Sequence, residues 1–149
     1  MDLIDLIPNS MSFRVVTTID IDHESEIPAG FTGRVRRHDR GSIAYVAWYR
    51  NGNLQNPGKL HPAYRRFRSD GQVKYDLFYN AGRLDDPSDS VPAVRGYYAN
   101  GAVHYEEHYR DGVRCDAPNG SAAVTKWRQD GSLRHRLNYD SGRRVRPAL

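Results

Sequence analysis

The sequence predicts an all-β fold, an elongated antiparallel meander of four stacked β-hairpin repeats with a 30-residue period and an N-terminal capping strand. Three observations lead to this prediction. Glycines recur thirty residues apart in two registers, turn dipeptides such as Asn100-Gly101 and Asp111-Gly112 flank short segments, and apolar residues alternate within those segments. A fixed period of this size is typical of repeat architectures.

The two glycine registers define the copies. One glycine precedes the second strand of each hairpin, and the other follows a tyrosine by three residues. The positions are Gly41, Gly71, Gly101 and Gly131; Gly52, Gly82, Gly112 and Gly142; and Tyr49, Tyr79, Tyr109 and Tyr139. The predicted organisation is an N-terminal lead and capping strand over residues 1–32, followed by MORN-like repeats at 33–62, 63–92, 93–122 and 123–149.

The N-terminal part begins with an apolar and acidic lead, residues 1–11, which predicts one docked helical turn or a frayed end. Met11 is an alternative start. Residues 12–21 are rich in β-branched side chains and are predicted to form the capping strand. The acidic stretch 20–26 contains three types of cation ligand, but it lacks the glycine that a calcium loop needs for its sharp turn. An acidic, solvated edge is therefore predicted there.

Within each repeat, one face of the second strand is expected to stack like residues in columns. Such columns are typical of stacked hairpins, because each hairpin buries its apolar face only against its neighbours. The columns are Ile43, Val73, Val103 and Leu133; Tyr45, Tyr75, Tyr105 and His135; and, in the first strands, Phe67, Tyr97 and Trp127. Arg37 interrupts the last column, so the first copy is predicted to be degenerate. The polar, proline-containing connections 53–62, 83–92 and 113–122 are predicted to be ordered loops along one edge.

Length, composition and charge restrict the function classes. A chain of 149 residues suits one domain, and it has neither a long apolar run nor a signal-peptide pattern. A cytoplasmic protein without membrane contact is therefore predicted. Cys115 is the single cysteine, which excludes an internal disulfide. The net charge of +4 combines an acidic segment 1–32 with basic segments 33–62 and 123–149, and such ends suit an acidic partner or nucleic acid.

No constellation of residues indicates catalysis. His104 and His108 lie four residues apart on one predicted strand, about 13 Å from each other and too far to share a zinc ion. Glu106 and Glu107 point to opposite faces and so do not form an acid–base pair. Phosphate-binding loops and nucleophile elbows are absent from the sequence. A non-enzymatic protein without catalytic residues, metal or cofactor is predicted.

One sequence pattern is similar to a known family. YNAGRLDDPSDSVPAV at 79–94 joins a Tyr-x-x-Gly turn to a loop ending in Pro-Ala-Val, with weaker copies at 49–64 and 109–124. The pattern resembles the MORN-like repeats of bacterial and phage proteins, and GKLHPA at 58–63 is similar to their loop GKLHREDGPA. The resemblance covers 33–149 and implies stacked antiparallel β-hairpins that serve as an interaction scaffold. The family includes YwqK-type antitoxins. This chain departs from it by lacking His-Arg-x-Asp-Gly loops and by its longer period.

The predicted function is a non-enzymatic repeat scaffold that binds and inhibits another protein, for example a phage-encoded factor acting on a host or defence protein. Two alternatives are an antitoxin or immunity protein that neutralises a cognate toxin, and a nucleic-acid-binding repeat protein. Exposed sheet edges also allow a homo-oligomer. Strand parity places the contacts on the outward strand face and the loops. The predicted binding residues are Trp48, Phe78, His104, His108, Arg134 and Arg136.

Overall fold

The computed structural model describes residues 6–9 and 12–146, and it confirms the all-β class. The regular elements of these residues are seventeen strands and one 3-10 turn, Glu24–Glu26. The strands are Leu6–Asn9 (β1), Ser12–Val15 (β2), Thr18–Ile21 (β3), Gly33–Asp39 (β4), Ser42–Arg50 (β5), Asn53–Leu54 (β6), Tyr64–Phe67 (β7), Val73–Leu77 (β8), Tyr79–Asn80 (β9), Arg83–Leu84 (β10), Val94–Tyr97 (β11), Val103–Glu107 (β12), Tyr109–Arg110 (β13), Val113–Arg114 (β14), Val124–Trp127 (β15), Leu133–Asp140 (β16) and Arg143–Val145 (β17). The described part of the chain contains no helix with the length and apolar character needed to cross a membrane.

One long sheet organises the structure. Its strands follow the order β17-β16-β15-β12-β11-β8-β7-β5-β4-β3, and β6 pairs with the end of β5. From β4 to β17 the neighbours are antiparallel, whereas β3 is parallel to β4, with Thr18 opposite Arg34. The sheet is therefore mixed, and the prediction of a purely antiparallel meander is wrong at this end. Residues 22–32 make the crossover that a parallel pair requires.

The predicted capping strand, residues 12–21, consists of two strands. β2 pairs with β1 in a separate two-stranded sheet, and β3 lies against β4. The interruption lies at residues 16–17, where the carbonyl of Thr17 accepts the N–H of Arg34 at 2.8 Å. One prediction for the lead was a helical turn, but its residues 6–9 form β1. Met11, the alternative start, lies outside the described residues.

Four main hairpins form most of the long sheet: β4–β5, β7–β8, β11–β12 and β15–β16. Each contains a β-bulge near its turn, which adds one residue to the second strand and increases the local twist. The register shifts at Arg37/His38, Arg66/Phe67, Gly96/Tyr97 and Lys126/Trp127. The shifts at Arg66, Gly96 and Lys126 are thirty residues apart, so the bulge occupies the same place in these three hairpins.

A second row of small hairpins is formed where loops were predicted to begin. These hairpins are β5–β6, β9–β10, β13–β14 and β16–β17, and their two-residue turns combine a positive-φ residue with a positive-φ glycine. Asn51-Gly52 and Asp111-Gly112 are two of these turns. Neighbouring small hairpins are joined by bonds of 2.7–2.9 Å from the N–H groups of Gly82, Gly112 and Gly142 to carbonyls of the preceding hairpin. The prediction that 53–62, 83–92 and 113–122 are loops is therefore wrong for the first two residues of each, which form β6, β10 and β14.

The apolar core lies on one face of the long sheet. Ile21, Val35, Tyr45 and Ala47 form its buried cluster near the N-terminal end, and Tyr64 packs against them. Residues directly opposite on neighbouring strands share a face of the sheet. The pairing register therefore continues this face through Leu77 and Val94 to Glu107, which forms an ion pair with Arg114, and then to Val124 and Leu137.

Candidate protein-interaction surface

A row of charged side chains crosses the face of the sheet opposite the core. We call this side the polar face and the row the charged row. Its members are directly opposite one another in nine successive strands: Asp20, Arg36, Val46, Arg65, Asp76, Arg95, Glu106, Thr125 and Arg136. Basic and acidic residues alternate in its central part. The row therefore carries an ordered pattern of charges across these strands, interrupted at Val46 and Thr125, and its members Asp76 and Thr125 are buried.

Cross-strand ion pairs hold most of this row in place. Two of them are two-pronged arginine–carboxylate pairs, a geometry that adds both strength and direction. The distances are 2.8 and 2.9 Å for Arg36–Asp20, 2.7 and 2.9 Å for Arg65–Asp76, and 3.2 Å for Arg95–Glu106. Arg136 differs, because its opposite neighbour is Thr125 and none of the described acidic residues forms an ion pair with it.

Asp20 provides a test of this row at low pH. Hydrogen bonds from Arg36 and then from His38 lower the pKa of Asp20 to about 2. Since the pKa in the unfolded chain is about 3.9, the stabilisation is complete above that value and disappears as the pH falls through the folded value. Asp20 is half-exposed, so we expect only about 0.5–1 kcal/mol.

Urea unfolding of the wild type and of Asp20→Asn, measured over a pH series, tests this expectation. The free energy of unfolding should be higher for the wild type at about pH 5, and the difference should shrink as the pH falls towards and below the folded-state pKa of about 2. A difference that persisted unchanged at the lowest pH would show that the carboxylate charge is not its source.

Three Asx side chains tie each connection to the next main hairpin. Asn56, Asp86 and Asp116, which we call the latch residues, lie thirty residues apart. The Oδ1 atom of each accepts two backbone N–H groups at 2.8–3.1 Å. The donors are Ala63 and Tyr79, Ala93 and Tyr109, and Ala123 and Tyr139. One side-chain oxygen thus joins the two ends of one main hairpin, the alanine before its first strand and a tyrosine near the end of its second strand.

The second oxygen of each acidic latch residue has its own donor. Asp86 Oδ2 lies 2.7 Å from His108 Nδ1, and Asp116 Oδ2 accepts a bond of 3.0 Å from Asn138 Nδ2. At the corresponding position for the neutral Asn56 the residue is Phe78. Burial opposes ionisation of Asp116, but the bonds from Asn138 and from the N–H groups of Tyr139 and Ala123 outweigh it and lower the pKa of this carboxyl. The type of latch residue therefore matches the type of side chain that it meets.

Phe78 and His108 are buried, with exposed fractions of 7% and 4%. Their prediction as outward-facing contact residues is wrong because strand parity assigns a face but does not show what covers it. The connections return over this part of the polar face, and Ala63, Ala93 and Ala123 beneath them are fully buried. Both predicted residues serve the packing of the scaffold.

The other four predicted binding residues have different surroundings. Trp48 is partly buried, with the Arg34 guanidinium 5.5 Å from its ring centre. His104 stacks on Tyr98 at 4.1 Å, and burial, Lys126 and Arg134 lower its pKa. Arg134 and Arg136 are exposed on the last main hairpin. The structure brings these two arginines together on one strand and places Trp48 at the other end of the sheet.

A polar groove of about 510 Å³ opens on the polar face of the last two main hairpins. It is lined by Glu106, Thr125 and Arg136 of the charged row, by His108 and Asn138 of the latch contacts, and by the loop 119–122. Carboxylate, guanidinium, hydroxyl and amide groups converge here, so the groove offers both donors and acceptors to a polar ligand.

Sequence reasoning missed two features. The first is the set of latch residues, which had a signal in their thirty-residue spacing but were interpreted as ordinary turn residues. The second is a ring stack on the core face, where Tyr45 lies 4.7 Å from Tyr64 and Tyr64 lies 6.0 Å from Tyr75. The tyrosine column was predicted, but Tyr64 comes from a first strand and lies outside it.

The acidic segment 20–26 is bonded within the chain. Asp20 binds Arg36 and His38, Glu24 accepts a bond from the Tyr45 hydroxyl, and Glu26 accepts the N–H groups of residues 22 and 23. Among residues 6–9 and 12–146, no group of three or more His, Cys, Asp or Glu side chains is arranged to hold a metal ion.

Comparison with known proteins yields no match to a protein-family model, a curated protein or a solved structure. The MORN-like resemblance therefore stays a prediction. What the chain does must be inferred from the chemistry of its own surfaces.

Proposed function

We propose that this chain is a non-enzymatic scaffold of four stacked β-hairpin repeats that binds another protein and thereby inhibits it. The observation that carries the proposal is the charged row together with the groove at its C-terminal end. Hydrogen bonds that recur every thirty residues support the repeat description, for example those from the N–H groups of Trp48, Phe78 and His108 to the carbonyls of Ala63, Ala93 and Ala123. A host protein and a cognate toxin are the two partner classes that we propose.

A surface of this kind suits binding for an energetic reason. Ion pairs and latch bonds already hold its polar side chains, so less conformational entropy is lost when a partner docks. Charge patterns of this kind contribute mainly to specificity and to the rate of association. The charged row would therefore select a partner by the order of its charges, and the groove would receive a projecting polar side chain.

The experiment compares two exposed serines that receive the same substitution. Ser121 lies in the loop that lines the groove, and Ser69 lies in the turn of β7–β8. We expect Ser121→Arg to fill the groove and Ser69→Arg to leave it open. Partners are captured from a cell lysate on the immobilised protein, identified by mass spectrometry, purified and tested for inhibition by the wild-type protein.

The expected result is a partner that binds the wild type and Ser69→Arg but binds Ser121→Arg at least about tenfold more weakly, as for a residue at the centre of an interface. Equal binding by all three proteins would show that the groove is not the contact surface. A captured partner whose activity is unchanged by saturating protein would contradict inhibition. Turnover of a partner or of a small molecule would contradict the non-enzymatic role.

A further inference from the structure

Within the part of the chain that the structure describes, residues 133–137 of β16 pair with a neighbouring strand on one side only. At each earlier junction the second strand of a main hairpin pairs with the first strand of the next, as in Tyr105–Glu107 with Val124–Lys126. Such a junction includes a bond of 2.7–2.8 Å from the N–H of Trp48, Phe78 or His108. The corresponding N–H belongs to Asn138. Within the described residues, β16 pairs with β15 on one side, and on the other side β17 covers only residues 138–140.

The same edge carries basic side chains that the described structure does not neutralise. Residues 123–146 contain seven Lys and Arg residues against two Asp. Arg134 and Arg136 are both exposed, and no ion pair joins either of them to a described acidic residue. In the charged row, Arg65 and Arg95 each have a carboxylate directly opposite on the next strand. A strand added beside β16 would place one of its residues directly opposite Arg136.

At this edge the residue that corresponds to the latch residues is basic instead of an Asn or Asp. Thirty residues after Asp116 the residue is Arg146, and an arginine side chain has no acceptor atom. Arg146 therefore cannot accept a backbone N–H group from a strand placed beside β16. A strand that binds beside β16 is therefore not fixed by a latch and depends on edge hydrogen bonds and on charge.

We propose that the open edge of β16, residues 133–137, binds an extended acidic segment of the partner protein by strand addition, with a carboxylate opposite Arg136. This inference rests on the proposed scaffold function and specifies its partner. Main-chain hydrogen bonds supply affinity in this mode of recognition, and alternate side chains supply specificity. The segment extends the sheet by one antiparallel strand, and its acidic residue continues the alternation of the charged row.

Two other occupants fit the observations less well. A second copy of the chain could offer its acidic segment 20–26, but Asp20, Glu24 and Glu26 already bond within the chain. A single-stranded nucleic acid would be held by phosphate contacts and by bases stacked on aromatic side chains. It would leave the backbone edge of β16 unpaired. An extended acidic peptide uses both the edge and the arginines.

The test uses synthetic peptides with a fluorescent label and the full chain. The probe is a peptide of about six residues, the length of a common strand, with alternating glutamate and threonine. One control peptide has lysine in place of glutamate, and another keeps the glutamates but has methylated backbone nitrogens. We expect fluorescence polarisation to detect binding of the first peptide only. Equal binding of the methylated peptide would overturn strand addition, because that peptide keeps its charge and loses its backbone donors.

Matched protein variants locate the site. We expect Arg134→Glu/Arg136→Glu to weaken binding of the acidic peptide about tenfold or more, by replacing attraction with like-charge repulsion. The control Arg50→Glu/Arg110→Glu changes two exposed arginines of the small hairpins by the same charge and should bind within about twofold of the wild type. Circular dichroism would establish that both variants are folded.

Each remaining outcome decides between the occupants. Binding of a single-stranded DNA oligonucleotide in preference to the acidic peptide would overturn the proposal in favour of nucleic acid. Self-association of the wild type that Arg134→Glu/Arg136→Glu abolishes, seen by sedimentation, would assign the edge to a second copy. If no peptide binds while a captured partner still requires the groove at Ser121, strand addition fails and the scaffold function stands. If capture also becomes independent of the groove, both fail.

Discussion

Replacing Asp86 by alanine should lower the free energy of unfolding by about 4 kcal/mol. Its carboxylate bonds to the N–H groups of Ala93 and Tyr109 at 2.8 and 3.0 Å and to His108 Nδ1 at 2.7 Å. The substitution leaves these groups without a partner in a nearly water-free site, since the His108 side chain is only 5% exposed. Urea unfolding followed by the fluorescence of Trp48 and Trp127 would measure the loss.

Two further substitutions separate the latch from a general effect of removing an acid. Asp89→Ala changes an exposed loop residue and should alter the free energy of unfolding by less than about 0.5 kcal/mol. Asp86→Asn keeps the Oδ1 acceptor, and the neutral ring of His108 can accept from the new amide, so a loss of only about 1 kcal/mol is expected. Losses for Asp86→Ala and Asp89→Ala that agree within error would refute the latch.

The same logic explains why this polar site tolerates different residues. Asp86 bonds to His108 and Asp116 bonds to Asn138, whereas for Asn56 the residue at the corresponding position is Phe78. An ionised carboxylate has a second oxygen that needs a donor, whereas a neutral amide tolerates an apolar neighbour better. The backbone role of the latch is constant while its side-chain partner changes with its charge.

Strands and turns could be predicted where the chemistry is local. Asn51-Gly52 and Asp111-Gly112 adopt the positive φ values that their sequence favours, and the alternation in Val103–Glu107 corresponds to a strand. The burial of His108 could not be predicted in this way. It depends on Asp86, which lies twenty-two residues earlier and reaches His108 only after the chain has formed β11 and β12.

The N-terminal pairing was beyond sequence reasoning for a similar reason. A β-branched run such as Thr18–Ile21 favours a strand, but it does not specify the direction of the neighbouring strand. Direction is set here by the crossover 22–32, whose hydrogen bonds involve Glu24 and Glu26. Arg134 and Arg136 could be named from the sequence, and their role in binding stays a prediction, whereas the charged row needed the register of nine strands.

Replacing Gly33 by alanine should lower the free energy of unfolding by about 3 kcal/mol. The added methyl group would collide with the backbone just before β3, the strand that pairs with β4. A Cβ atom at this position would lie 2.4 Å from the Thr17 carbonyl oxygen and 2.9 Å from the Phe31 ring. The backbone φ of +146° is also one that an alanine rarely adopts. The carbonyl cannot move away without losing its bond of 2.8 Å from the Arg34 N–H.

Gly41→Ala is the matched control for Gly33→Ala. Gly41 also has a positive φ, +85°, but a Cβ atom there would meet nothing within 4 Å. Backbone strain alone should therefore cost about 1 kcal/mol at Gly41, and the remainder at Gly33 measures the collision with the Thr17 carbonyl and the Phe31 ring. Hydrogen exchange locates the damage: Gly33→Ala should remove protection from the Arg34 amide and from β3 while the amides of β11 and β12 stay protected. Equal losses at both glycines would show that backbone strain, rather than contact with the parallel strand, makes Gly33 necessary.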